Sequence, residues 1–124
     1  MSAGLFALAA KTTADKIYTE QQATRGQETY VKECAYCHME DLRGEGFAPS
    51  LNGDAFALRW EKGVVGDLLK IVKGTMPADR PGTLTPGQYA DIVAYLLKAN
   101  RHPAGDQPLS ENPSDSAAVT FAKP

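Results

Sequence analysis

Both cysteines of this chain fall in one stretch, Cys34-Ala-Tyr-Cys-His38, three positions apart and followed at once by a histidine. A chain of 124 residues with no other thiol has no disulfide framework to fold around. A bridge between these two would close a very short loop and restrain the unfolded chain little. The pair therefore needs a chemical explanation. A thioredoxin-like redox pair requires Cys-x-x-Cys opening a helix beside a βαβ pattern, whereas here it follows a helical pattern and no strand pattern accompanies it. For zinc, only His38 and His102 remain to complete a four-ligand set, and the adjacent Cys37 and His38 would have to bend onto one metal. Simple burial of two thiols leaves the histidine unexplained.

Covalent haem attachment accounts for all three residues, Cys-x-x-Cys-His being its signature. Two thiols add across the two vinyl groups along one porphyrin edge. The histidine that follows is carried under the ring, where its Nε2 can ligate iron. That reading demands a second axial ligand. The candidates are Met1, Met39, Met76 and His102. Met1 is terminal, and Met39 adjoins His38 and is badly placed for the opposite face. His102 lies beyond the last helical pattern beside Pro103 and reads as a solvated surface histidine. Met76 stands 38 residues after His38 in an irregular loop, with Pro77 behind it. A thioether in a polar loop has little core to fill, and ligation explains it better.

The rest of the chain suits one small all-α domain. Its 43% apolar content is that of a globular protein, and a net charge of −2 with pI near 5.6 argues against nucleic-acid binding. No apolar run approaches the roughly 20 residues that span a bilayer. Residues 1–18 read as an N-terminal arm or a leader remnant. "GLFALAA" contains the A-x-A pattern of a cleavage site, but no Lys or Arg precedes it.

Residues 19–100 hold the helical patterns. Thr19 and Gln22 form a capping box opening a helix over Glu20–Glu33, in which Gly26 costs roughly 1 kcal/mol against Ala and implies close approach by another element. Residues 39–53 read as loop, Asp54 as the cap of a short helix through Trp60, and Val64–Lys73 as a further helix. Thr85 and Gln88 form a second capping box, with Pro86 at the first helical position, opening a helix to Ala99. Residues 101–124 carry four prolines and read as an extended tail, with solvation as its default.

Taken together these residues resemble the class I c-type cytochromes, small bacterial monohaem proteins, over about residues 19–100. The resemblance implies the cytochrome c fold, with three to five helices wrapped around one covalently bound haem. It implies haem c attached through Cys34 and Cys37, with His38 as proximal and Met76 as distal ligand. Gly26 and Tyr30 resemble the glycine and aromatic of the family's N-terminal helix, and Tyr95 and Leu96 the pair on the C-terminal helix that crosses it. Pro49-Ser-Leu51 resembles the family's Pro-x-Leu, whose proline carbonyl accepts from the proximal histidine. Trp60 resembles a tryptophan that donates to a haem propionate, the alternative being a wall of the pocket, and Arg59 and Arg80 are weaker propionate candidates. Only 22 residues lie between Leu51 and Gly74, the shorter, bacterial kind of connection.

Two axial ligands leave no open position for substrate, so the expected function is one-electron transfer and not catalysis. The expected partners are a redox donor and acceptor (a dehydrogenase, an oxidase or another cytochrome), with no nucleic acid and no transmembrane span. The stretches "APSLNGDAF" and "TMPADRPGTLTPGQYADIVAYLL" also resemble haem domains that accompany periplasmic quinoprotein dehydrogenases, so a free carrier and an electron-accepting subunit both stay open. A ligand sensor or peroxidase-like protein would want distal acid–base residues, for which only His102 is spare. The family implies a periplasmic location.

Overall fold

The computed structural model describes residues 11–124, so the leader-like stretch and Met1 lie outside the described residues. Among the described residues five α-helices follow one another: α1 Glu20–Glu33, α2 Ala35–His38, α3 Gly53–Trp60, α4 Val65–Thr75 and α5 Pro86–Ala99. Two 3-10 turns, Thr13–Asp15 and Pro113–Ser116, flank them. The described residues contain isolated β-bridges but no strand. Both capping boxes are formed: Thr19 accepts from the Gln22 amide and Thr85 from the Gln88 amide, and each glutamine returns to its cap.

Other boundaries move. The cap of α3 is Asn52, with Asp54 in the first turn, where its charge complements the helix dipole. Helix α4 starts at Val65 and runs past Lys73 to Thr75. Ala35–His38, with Cys34 as its cap, is a helical turn, and such a turn brings residues three and four apart to one face.

The pairing of α1 with α5 organises the molecule. At Gly26 a Cβ would fall on the Asp91 carbonyl oxygen, so only glycine lets the two backbones approach this closely. Beside that crossing the Tyr30 and Tyr95 rings meet at 5.3 Å, tilted by 53°. Asp91, buried at the crossing, takes both its oxygens to Arg25 at 3.0 Å. Helix α5 is buried almost all round: Tyr89, Ile92, Val93 and Leu97 face neighbours on several sides.

A larger apolar cluster joins Ala23, Phe56, Trp60, Leu68, Leu69 and Val93. A smaller one, of Tyr30, Leu42 and Leu96, takes Cys34, Ala35, Leu51 and Tyr95 against it.

The tail is extended but not solvated. Leu109, Ser116 and Val119 are buried, and Phe121 packs against Phe56 and Trp60. Thr120 bridges to Thr12 on one side and Val64 on the other, and the Val65 amide donates to the Val119 carbonyl at 2.8 Å. His102 is likewise no surface residue. It is only 6% exposed, stacked edge-on against Phe121 with centroids 6.0 Å apart. The Tyr18 hydroxyl donates to its carbonyl at 2.6 Å. The sequence pattern after Asn100 is polar, but three apolar side chains spaced along it suffice to strap it down.

Candidate functional site

The chain places its rare donor side chains at element ends. Cys34 closes α1 and opens α2; Cys37 and His38 sit in α2; Met76 closes α4. His38 is buried, and its Nδ1 lies 2.9 Å from the Pro49 carbonyl oxygen. That contact holds the proton on Nδ1 and leaves the Nε2 lone pair free to bind a metal. Leu51, two residues on, donates its amide to the Leu42 carbonyl and accepts from Asn100 Nδ2 at 2.9 Å. Asn100, the C-cap of α5, thus holds the loop that follows His38.

Both thiols are free, Cys37 exposed and Cys34 half-buried in the smaller cluster. Burial, and then the nearby Glu33 and Cys37, push the Cys34 thiol up to about 11, so it is neutral in this setting.

Two tyrosines fasten the two donor segments. Tyr30 donates from α1 to the Met39 carbonyl at 2.7 Å, just beyond His38. Tyr89 donates from α5 to the Met76 carbonyl at 2.7 Å and accepts from the Leu84 amide at 3.3 Å. Burial is the main cause of a raised Tyr30 phenol pKa, so it remains a donor at any ordinary pH. Neither tie was read from the sequence. The available signal was a tyrosine on each buried helix stripe, whose hydroxyl needs a partner once the ring is buried.

Met39 sits at φ 67°, ψ 156°, a region held almost exclusively by glycine. It is kept there by the hydrogen bond that its backbone N–H donates to the Ala35 carbonyl, 2.8 Å, and by the Tyr30 hydroxyl, which donates to its own carbonyl. Trp60, buried at the end of α3, packs on Phe121 at 5.7 Å and carries the Arg59 guanidinium over its ring at 5.8 Å. Its indole N–H donates to no protein group among the described residues. Arg80 does not stand free either: its Nη2 meets Glu33 Oε1 at 2.8 Å.

The donor set fits haem c. One imidazole of fixed tautomer, one thioether and two thiols are the functions that haem attachment and axial ligation use. No group of three or more His, Cys, Asp and Glu able to hold a bare ion occurs among the described residues. No helix among them is long and apolar enough to cross a membrane. Residues 21–96 match the family model described as cytochrome C oxidase, cbb3-type, subunit III. No curated protein and no solved structure matches the chain.

Proposed function

Because the chain belongs to this c-type cytochrome family, we propose that it carries single electrons between redox proteins. One haem c would be held covalently by Cys34 and Cys37, with His38 and Met76 as the ligands to its iron. When bound, the haem supplies a reversible one-electron couple whose potential methionine ligation raises. The chain's own residues do the rest. Pro49 orients the His38 ring and keeps its Nε2 available as a ligand. Tyr89 ties down the backbone of Met76, and Leu51, Tyr95 and Leu96 keep the smaller cluster apolar around Cys34. The observation that carries the reading is His38, buried with Nδ1 committed to Pro49 and Nε2 left for iron.

A periplasmic location is part of the proposal, since the family attaches haem outside the bacterial inner membrane. The family description names an oxidase subunit, which supports a second reading as one subunit of a larger oxidoreductase. Co-purification of an enzyme with the tagged chain would favour it over the free carrier.

The test is chemical and optical. Haem should stay with the denatured chain through acid–acetone extraction, with a mass one haem above the apo chain. Ascorbate should reduce the protein, and the reduced form should not bind carbon monoxide readily. Extractable haem, or stoichiometric zinc in its place, would sink the proposal. Ready carbon monoxide binding would move the sensor class ahead.

A further inference from the structure

The loop between α4 and α5 carries Met76, and the hydrogen bonds within and around it run to its own flanks. The Met76 amide donates to Val72 and its carbonyl accepts from Tyr89; the Arg80 amide returns to Pro77 and the Thr83 amide to Arg80. These bonds fix the loop to α4 and α5 but not to the segment that holds Cys34, Cys37 and His38. One contact does that. Arg80 Nη2 meets Glu33 Oε1 at 2.8 Å, and Glu33 is the last residue of α1, directly before Cys34. Among the described residues it is the only side-chain hydrogen bond or ion pair between these two segments, and it joins residues 47 apart. The neighbouring Asp79 carboxylate lies 3.5 Å from Arg80 Nε and holds the guanidinium from the other side.

We propose that Arg80 is a positioning residue: its ion pair with Glu33 latches the Met76 loop to the haem-attachment segment and slows release of Met76 from iron. The inference rests on the reading of Met76 as the distal ligand. It commits Arg80 to a carboxylate of its own chain instead of a haem propionate. Since Arg80 is half-exposed and Glu33 one-quarter exposed, the latch is open to screening by salt. Seating of Met76 would therefore depend on ionic strength, and a charged partner surface close to Arg80 could loosen it.

The test uses the oxidised holoprotein, with cyanide as the probe that enters only when Met76 leaves, and amide exchange of residues 76–84 as a readout of the loop itself. At low ionic strength Arg80→Gln and Glu33→Gln should each speed cyanide binding and loop exchange by about two- to five-fold, the range of a partly exposed ion pair. The double variant should do no more than either single one, because both remove the same contact. Exchanging the charges, Glu33→Arg with Arg80→Glu, should restore part of the slow behaviour. Near ~1 M salt, where the screening length is about 3 Å, the variants should converge on the unmodified protein. A silent Glu33→Gln beside an active Arg80→Gln, or additive effects in the double variant, would overturn the latch. Immediate cyanide binding by the unmodified protein would instead overturn the ligand assignment of Met76, a failure that the amide-exchange arm does not share.

Discussion

Met76 and Met39 are chemically alike, and their backbones separate them. Met76 closes α4 in an extended conformation, φ −119°, on the loop that Tyr89 and Arg80 tie down. Met39 follows His38 directly, at a φ that β-carbon sterics disfavour. Met76→Ala should open the sixth position to cyanide or carbon monoxide, abolish the weak red charge-transfer absorption of the oxidised protein and lower the potential. Met39→Ala should do none of these. Loss of the band in Met39→Ala with its survival in Met76→Ala would reverse the assignment. Met39 also allows a stability experiment independent of iron. Relief of strain is worth roughly 1–3 kcal/mol and the added unfolded-state freedom of glycine costs roughly 0.5–1, so Met39→Gly should raise stability by about 1 kcal/mol. A lower denaturation midpoint would show that the Met39 side chain contributes more packing than its backbone costs.

The helix crossing decides stability at the scale of elements. On an exposed helix, Gly26→Ala would gain about 1 kcal/mol from propensity alone. Here the new methyl would meet the Asp91 carbonyl of α5, backbone that cannot swing aside. The sign should reverse, with a loss of about 1–3 kcal/mol for Gly26→Ala and at least as much for Gly26→Val. Thermal melts decide it, and an unchanged or raised midpoint would place Gly26 away from the contact. The glycine, the two capping boxes and the helix α1 bounds were legible because they depend on local rules: a side chain reaching its own first turn, or a residue too costly to keep without cause. The cap of α3 was less legible, since Asn52, Gly53 and Asp54 are all acceptable at a helix start and the fold of the preceding loop chooses among them.

Across the whole molecule, the tail closes the side formed by α3 and α4. Its apolar contacts are few, so Phe121→Ala should cost about 1–2 kcal/mol by exposing Trp60 and Phe56. A variant that melts like the parent would mean that the tail only rests on the surface. Burial of His102 beneath Phe121 adds a pH dependence. Desolvation lowers its pKa below the ordinary 6.5, so the unfolded chain binds the proton more readily than the folded one. The stabilising neutral form is therefore fully present above about 6.5 and is lost as pH falls through and below that value. In the holoprotein, stability should decline on acidification from near 6.5, before carboxylates titrate, and His102→Leu should flatten that part of the profile. An unaltered slope in His102→Leu would place the linkage elsewhere.

Short-range chemistry was readable in the residues themselves. Spacing alone tied Cys34, Cys37 and His38 into one haem-attachment reading, and the helix patterns pointed to an all-α fold, because both rest on contacts within a few residues. The partners of Tyr30, Tyr89, Asn100 and Arg80 were not readable, nor was the burial of His102. Each depends on contact with a group outside the side chain's own helix or segment, which the backbone brings near only in the folded chain. A polar side chain at a given position looks the same in sequence whether water or a distant carbonyl receives it. Only the tertiary fold decides which, because it sets what remains within hydrogen-bonding reach after the solvent has gone.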